Sequence, residues 1–420
     1  MAKIYPFQGI RYHQEKIKDI SKVVAPPYDI ISREAQENYY NLNNRNIIRL
    51  ILGKTEPKDN PTNNKYTRAG DFLAEWIRSG ILKKEKKASI YLYEQGYTIH
   101  RRRYLRKGLI ALVRLEDFED KVILPHELTF SGPKKDRLQL MRATRANLSP
   151  IFAFYESDNN TISQTMADYS SRQPIIKLKD NDNIRHKLWA IDCSRDIKKI
   201  AVCLKGKSIF IADGHHRYET ALNFRNEMKI KSENFTGEEK YNRVMAYLVD
   251  INQNVTLLPA HRLIKRSKDI NMRKLEEFFL IKMSKMNQLL NRMKEENHRH
   301  IFGMYYKKKC YLLVLKNEAM VGNLMDIQEP EVWKKLDVVI LHKLLIEHIL
   351  NVDKKDIGYS TDENKAVGLV DNGEYAIALF LNPVRIEDFK AVTNAHRLMP
   401  QKSTYFYPKP LSGLVINKFE

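Results

Sequence analysis

The segment 209–222 constrains the fold of this chain more than any other part of its sequence. The short apolar run 208–212 predicts a buried strand, and the residues from His215 onwards predict a helix with a buried stripe. Asp213 and Gly214 separate the two. A strand that passes through a glycine into a helix leaves backbone N–H groups pointing outward at the helix start. Together with the positive end of the helix dipole, these groups favour a bound phosphate.

The side chains at this turn indicate the same chemistry. Asp213, Gly214, His215, His216 and Arg217 follow one another directly. Two imidazoles and a guanidinium at one helix start are hard to explain by packing alone. We therefore predict that 214–217 bind phosphate. The alternative is a solvated turn in which the histidines cap the helix.

A second candidate site lies in the segment 125–137, at the end of an apolar run. Glu127 beside His126 is a suitable general base. Lys134 and Arg137 can neutralise phosphate oxygens. The alternative interpretation is a basic loop with an ordinary Ser-Gly-Pro turn.

A third candidate lies near the C-terminus, where Lys402, Ser403 and Thr404 offer a cation and two hydroxyls for an anion. The alternative is a terminal strand that packs through the aromatic run 405–407. Two weaker candidates, which we interpret as structural turns or core groups, are Pro26-Pro27-Tyr28-Asp29 and His261-Arg262.

Chain length and net charge limit the possible functions. A chain of 420 residues predicts two or three domains. The net charge of +21, from 72 Lys and Arg against 51 Asp and Glu, suggests polyanionic ligands or nucleic acid. The charge is spread along the chain, however, which favours a solubilising compositional bias slightly over a dedicated binding tail.

Cysteine usage and hydropathy predict the compartment. Cys193, Cys203 and Cys310 form no CxxC pair, so neither a structural zinc site nor a disulfide framework is indicated. The N-terminus has no signal-peptide core, and no apolar run has the length of a membrane span. We expect a soluble cytoplasmic protein with no membrane partner. The oligomeric state is not predicted.

Helical and strand patterns alternate along the chain and favour an α+β fold over a doubly wound sheet. A hairpin is predicted from strands 89–95 and 97–103 joined at Gly96, with a further strand at 107–115. The other predicted strands are 47–52, 149–155, 242–250, 255–258, 301–306, 308–315 and 376–381, and the other predicted helices are 33–41, 66–79, 135–146, 272–280, 285–297, 338–350 and 386–393.

The three candidate segments together resemble the free-serine kinase branch of the ParB/sulfiredoxin-like superfamily. In that superfamily a Gly-x-x-Arg turn at a helix start binds nucleotide phosphates, and 214–217 are similar to it. The Pro-His-Glu segment that carries the catalytic Glu is matched by 125–127. The Pro-Lys-Thr-Thr-like segment at the substrate site is matched by 400–404, with Gln401 inserted. Over nearly its full length the chain also resembles a widespread, uncharacterised bacterial and archaeal family with this Gly-His-His-Arg signature.

The resemblance implies a domain organisation. A ParB/sulfiredoxin-like phosphate-binding core is expected at 121–260, with additional mixed α/β elaborations. An N-terminal α+β region would occupy 1–120. A C-terminal α+β region would occupy 261–420, with a tail that returns to the active site.

The resemblance also implies a kinase that converts free L-serine to O-phospho-L-serine, with pyrophosphate, ADP or ATP as the donor. Glu127, beside His126, would take the proton of the serine hydroxyl, and Asp213 would help hold Mg²⁺. The predicted donor-binding residues are Gly214, His215, His216, Arg217, Lys134 and Arg137, and the predicted substrate-binding residues are Lys402, Ser403 and Thr404.

Two other function classes remain open from the sequence. One is a nucleotide-gated ParB-like protein that binds DNA, and the other is a phosphohydrolase that uses the same site with water. We find no convincing helix-turn-helix with a basic recognition helix, which favours an enzyme without a specific nucleic-acid partner.

Overall fold

The computed structural model describes residues 1–99, 101–129, 131–253, 255–265, 269–322 and 328–419. The chain forms two compact units. The first unit comprises Met1–Pro125, Thr129–Val255 and Pro408–Glu420, and the second comprises His126–Leu128 and Thr256–Tyr407. The predicted boundaries near 120 and 260 stay predictions.

A nine-stranded mixed sheet forms the centre of the first unit. Its main path runs through Ile123–Leu124, Ile209–Asp213, Ile151–Tyr155, Arg243–Asp250, Arg102–Arg114, Ile90–Ile99, Arg185–Ile191 and Ile176–Lys179, and Ile4–Tyr5 pairs beside Arg102–Arg114. Two of the pairings are parallel, namely Ile209–Asp213 with Ile123–Leu124 and Arg243–Asp250 with Ile151–Tyr155. Two short antiparallel ribbons accompany the sheet, Ile10–Tyr12 with Leu82–Lys84 and Ala146–Asn147 with Asn417–Lys418.

Helices of the first unit start where the sequence supplies caps. Asn64 and Thr67 form a capping box for Lys65–Arg78, and Gly80 follows that helix with φ 68°. Ser32 accepts a hydrogen bond from the Ala35 amide at the start of Arg33–Leu42. The remaining helices of this unit are Ile48–Ile51, Ser131–Thr144, Thr161–Ser170, Ser194–Leu204 and His215–Lys231.

The predicted strand at 47–52 is wrong, because Ile48–Ile51 is a short helix. Ile48, Leu50 and Ile51 are all buried, and the Asn46 side chain accepts a hydrogen bond from the Ile48 amide at 2.9 Å. A short run that is apolar on every face does not distinguish a buried helical turn from a buried strand.

The predicted turn at Gly96 is also wrong. Gly96 lies inside the strand Ile90–Ile99, opposite Leu105. The chain reverses only after Ile99, with Arg101 at φ 66°, and His100 lies outside the described residues. One long strand, Arg102–Arg114, therefore includes the described end of the predicted strand 97–103 and most of the strand predicted at 107–115.

The second unit contains a six-stranded antiparallel sheet. Its order is Phe279–Ser284, Lys309–Leu315, Ile301–Tyr306, Ile377–Phe380, His261–Ile264 and Ile357–Ser360. A separate ribbon pairs Thr256–Leu258 with Tyr405–Tyr407. The helices are Met272–Phe278, Met286–Glu295, Ala319–Gly322, Glu331–Lys334, Asp337–Ile340, Glu363–Asp371 and Ile386–Asn394.

Two elements of the second unit differ from their predictions. The edge strand Phe279–Ser284 was not predicted, since its residues are mostly exposed or half-buried and show no clear alternation. The predicted helix 338–350 begins as the α-helix Asp337–Ile340 and continues as a π-helix over Leu341–Ile349. The predicted hairpin of 301–306 and 308–315 is confirmed.

The architecture as a whole is a mixed α/β fold with a large mixed sheet. No helix in the described part of the chain combines the length and the apolar character that crossing a membrane requires.

Candidate functional site

The predicted strand–glycine–helix turn is present in the first unit. The buried strand Ile209–Asp213 leads through Gly214 into the helix His215–Lys231. Gly214 has φ 90°, a left-handed conformation that favours glycine, and a Cβ there would lie 2.9 Å from the Arg217 guanidinium. The left-handed backbone therefore favours glycine here, and a Cβ would also have to displace the Arg217 guanidinium. His215 is buried in the first turn, and His216 is half-buried.

Asp213 stands between two cations at this turn. One carboxylate oxygen accepts from Arg217 Nη2 at 2.6 Å, and the other accepts from Lys409 Nζ. The three side chains are only about a tenth exposed. Arg217 also donates to the Pro150 carbonyl. The result is a desolvated cluster of two cations and one anion at the start of a helix.

Burial lowers the pKa of Arg217, and the nearby Asp29 and Tyr28 favour its charged form. Burial also raises the pKa of Tyr28, against the influence of Arg137 and Arg217. The ring of Tyr28 lies 3.9 Å from the guanidinium carbon of Arg137. The segment around Tyr28, interpreted from sequence as a structural turn, therefore belongs to the same charged region.

Arg137 and Arg217, both predicted to bind the donor, line one small cavity of about 50 Å³. This volume is well below the roughly 300 Å³ at which pockets for whole small-molecule ligands begin. A phosphoryl group matches such a space better than an adenosine does.

The remaining predicted donor-binding residue, Lys134, has an acidic partner. Its ammonium donates to Glu219 at 2.7 Å, and the Thr129 hydroxyl donates to both oxygens of the same carboxylate. Glu219 lies on the helix His215–Lys231 and was not singled out from the sequence. These contacts give Lys134 a partner within the protein, so its predicted role at the donor stays a prediction.

Asp136 links several cations in this region. It accepts hydrogen bonds from Lys65 at 2.7 Å, from the Tyr66 hydroxyl at 2.8 Å and from Arg137 at 2.8 Å. Burial alone would raise its pKa, but Arg137, Lys65 and Tyr66 outweigh burial and hold the pKa at about 2.

Because of these contacts, we expect part of the free energy of unfolding to be lost at acid pH. The pKa of Asp136 is about 2 in the folded protein against an ordinary value of 3.8, so its stabilising contribution is complete above about pH 4 and is lost as the pH falls towards 2. The contribution is on the order of 2 kcal/mol. We expect Asp136→Asn to flatten the pH dependence of the urea-unfolding free energy between pH 5 and pH 2.5. An unchanged slope would contradict this account.

In the second unit, His126 is buried and bonded within the fold. Its Nε2 lies 2.8 Å from the Thr404 hydroxyl, and its ring packs edge-on against Phe389 and Phe406. The His126 carbonyl accepts from the Met399 amide at 2.7 Å. These contacts fit a residue that positions its neighbour Glu127, which is half-buried, more closely than one that touches substrate.

The other predicted substrate residues differ in exposure. Thr404 is buried on His126, and Ser403 is buried with its hydroxyl donating to the Pro400 carbonyl. Lys402 is exposed, with φ 54°. Of the three, Lys402 presents its functional group to solvent.

Arg262 and Tyr359 both interact electrostatically with Glu127, and Tyr359 also interacts with Lys402. Burial lowers the pKa of Arg262 to about 10, while Tyr359 and Glu127 favour its charged form. Burial raises the pKa of Tyr359. The charge of Glu127 also raises this pKa, whereas the charge of Lys402 lowers it. Arg262 Nε donates to His342 Nε2 at 3.0 Å, and burial together with Arg262 lowers the pKa of His342 to about 3. From the sequence we interpreted Arg262 as part of a structural turn or a core group, and its partners lie far away along the chain.

The predicted role of Lys402 can be tested by substitution. If Lys402 binds the acceptor, as the sequence predicts, Lys402→Ala should raise KM for the acceptor about tenfold through the loss of a charge-assisted contact. We expect the melting temperature to stay unchanged because the side chain is exposed. Steady-state kinetics and thermal unfolding check both statements. Lys282→Ala, at an exposed position of an edge strand, is the matched control. A stable Lys402→Ala protein with unchanged kinetics would show that this segment only packs.

The predicted Mg²⁺ site at Asp213 does not fit the contacts of that residue. Both carboxylate oxygens already accept from cations, so a metal ion would have to displace Arg217 or Lys409. Within the described residues, no three His, Cys, Asp or Glu side chains cluster in a way that could hold a metal ion. We therefore assign Asp213 to the organisation of the two cations.

Comparison with known proteins identifies the family. The family model described as "Protein of unknown function (DUF1015)" matches residues 4–339. The chain belongs to this family. No curated protein matches the sequence.

Solved structures show only distant similarity. A free serine kinase in complex with AMP is 11% identical, with 71% of this chain and 86% of that chain covered and a TM-score of 0.36. A conserved hypothetical protein from Pyrococcus furiosus is 12% identical, with 74% and 95% covered and a TM-score of 0.35. SbnI from Staphylococcus aureus, truncated at its C-terminus, is 10% identical, with 73% and 86% covered and a TM-score of 0.33. Free-serine kinases are thus among the structures that this member of the DUF1015 family resembles, but TM-scores this low assign it no activity.

Proposed function

We propose that this protein is a phosphotransferase that transfers a phosphoryl group from pyrophosphate, ADP or ATP to the hydroxyl of free L-serine. The observation that carries the proposal is the buried Asp213–Arg217–Lys409 cluster at the start of the helix His215–Lys231. We assign this turn to a ParB/sulfiredoxin-like phosphate-binding core.

The donor part of the proposal rests on charge and on backbone geometry. A helix start offers N–H groups and a positive dipole end to phosphate oxygens. Arg217 and Lys409 add two cations that are largely shielded from water, where electrostatic attraction is stronger. Asp213 keeps these cations in place through one hydrogen bond from each. Phosphoryl transfer depends mainly on such positioning and charge stabilisation.

The acceptor part rests on residues of the second unit. Glu127 would take the proton from the serine hydroxyl. The hydroxyl oxygen then forms a bond to the phosphorus of the donor, and the bond to the leaving phosphate or nucleotide breaks with its electron pair. Lys402 would bind the serine carboxylate or the transferred group, and Arg262 would supply a buried positive charge near Glu127.

The proposal is tested by incubating the purified protein with L-serine and each donor in turn, with and without added Mg²⁺. We expect O-phosphoserine, detected by mass spectrometry, with at least one donor. Serine-independent release of phosphate would instead identify a phosphohydrolase. Absence of O-phosphoserine with every donor would contradict the proposal.

A further inference from the structure

The small cavity of the first unit has an unusual lining. Its wall is mostly apolar, but Tyr28, Arg137, Arg217 and Thr220 are among the residues that line it. Among the described residues that line it there is no Asp or Glu. Two arginines therefore line one small space whose described wall contains no acidic residue.

Thr220 is the least expected member of this lining. The residue is fully buried, and its hydroxyl oxygen has no hydrogen-bond partner within the described part of the protein. Other buried helical threonines behave differently. The hydroxyls of Thr144, Thr165 and Thr393 each donate to the carbonyl four residues earlier, at 2.9, 2.9 and 2.7 Å.

A buried hydroxyl without a partner costs free energy, and natural proteins rarely keep one without a reason. Thr220 would avoid this cost by turning back to its own helix, as the other three threonines do. It lines the cavity instead, and its hydroxyl has no partner among the described residues. The position of this donor therefore indicates that an acceptor binds in the cavity.

The two arginines define the charge of that acceptor. Arg137 donates to Asp136 through Nε and Nη2 and to the Ile51 carbonyl through Nη1. A guanidinium has five N–H donors, so Arg137 retains donors for a further acceptor. Arg217 likewise donates to Asp213 and to the Pro150 carbonyl and retains others. Planar guanidinium groups bind oxyanions with charge-assisted hydrogen bonds.

Size narrows the ligand further. The cavity measures about 50 Å³. A cavity needs roughly 10–15 Å³ for each water-sized group, so this one accommodates about three to five such groups. A phosphate ion has five heavy atoms, which matches, whereas a nucleoside does not.

We propose that this cavity binds a single phosphate-sized oxyanion and that the Thr220 hydroxyl donates a hydrogen bond to it. For its biological role the site rests on the proposed function, in which the same ion corresponds to the terminal phosphoryl group of the donor. Thr220 is thereby a donor-binding residue in addition to the Gly-His-His-Arg turn.

The experiment uses inorganic phosphate as the probe and the whole chain of 420 residues. Isothermal titration calorimetry at constant ionic strength compares wild type with Thr220→Val, which keeps the shape and removes the hydroxyl. We expect phosphate to bind Thr220→Val roughly ten- to a hundredfold more weakly. Without phosphate, this variant is expected to melt at or above the wild-type temperature, since an unpaired buried hydroxyl has been removed.

Thr165→Val is the matched control, because this hydroxyl is bonded within its own helix. It should lower the melting temperature and leave phosphate affinity unchanged. Three results would overturn the proposal: no phosphate binding by wild type at millimolar concentration, equal affinity of Thr220→Val and wild type, or a Thr220→Val protein that melts below wild type without phosphate. The last result would mean that the hydroxyl has a partner within the protein.

Failure of the proposed function gives a different pattern. Phosphate binding that depends on Thr220, without formation of phosphoserine, would retain the oxyanion site and remove the serine kinase. Serine phosphorylation with equal phosphate affinity in both proteins would retain the kinase and remove the role of Thr220.

Discussion

Glu127→Gln is expected to lower turnover with serine about a hundredfold or more, the usual scale for the loss of a general base. The substitution keeps the size of the side chain and removes its ability to accept the hydroxyl proton. Because Glu127 is only half-buried and glutamine keeps its size, we expect the fold to be retained. Single-turnover kinetics with saturating donor, alongside thermal unfolding, measure both effects.

Glu277→Gln is the matched control for this variant, since Glu277 is an exposed glutamate of the second unit on the helix Met272–Phe278. It should retain wild-type turnover. A folded Glu127→Gln protein with the wild-type rate would remove Glu127 from the role of base and would leave the acceptor part of the proposal without a catalyst.

Asp213→Ala is expected to destabilise the protein by about 3–5 kcal/mol, because breaking a buried ion pair leaves uncompensated charge in the interior. Arg217 and Lys409 would both lose the carboxylate that they share, and their side chains are only 11% and 8% exposed. Urea unfolding monitored by circular dichroism measures the change. Asp213→Asn should lose less, since its amide oxygen still accepts from one cation.

Glu227→Ala provides the contrast. Glu227 forms an ion pair with Arg142 in which the side chains are 30% and 44% exposed, and such surface pairs contribute about 1 kcal/mol or less. An Asp213→Ala protein that loses no more stability than Glu227→Ala would contradict the central position given to the Asp213 cluster.

Local sequence was sufficient to predict the strand–glycine–helix turn. The apolar run, the glycine and the following helical stripe are all contained in a short stretch of chain, and the structure places them as expected. Gly214 shows why this works, because its left-handed backbone can be anticipated from the residue type. Arg217 could be assigned to the turn for the same reason.

The partners of those residues could not be predicted from local sequence. Lys409 lies 196 positions from Asp213 in the chain, and no periodicity connects the two. The pairing of His126 with Thr404 spans 278 positions. The sequence predicted His126 and Thr404 as site residues, but their burial and their hydrogen bond to each other depend on the tertiary fold. Burial likewise made a helix of Ile48–Ile51, where residue type alone favoured a strand.

The most direct measurement is ³¹P NMR of the purified protein with L-serine and, in separate samples, pyrophosphate, ADP and ATP. We expect that for at least one donor the phosphoserine resonance grows in proportion to donor consumption and is lost in Glu127→Gln. Donors that remain unconsumed, or that yield only inorganic phosphate when serine is present, would contradict transfer to serine.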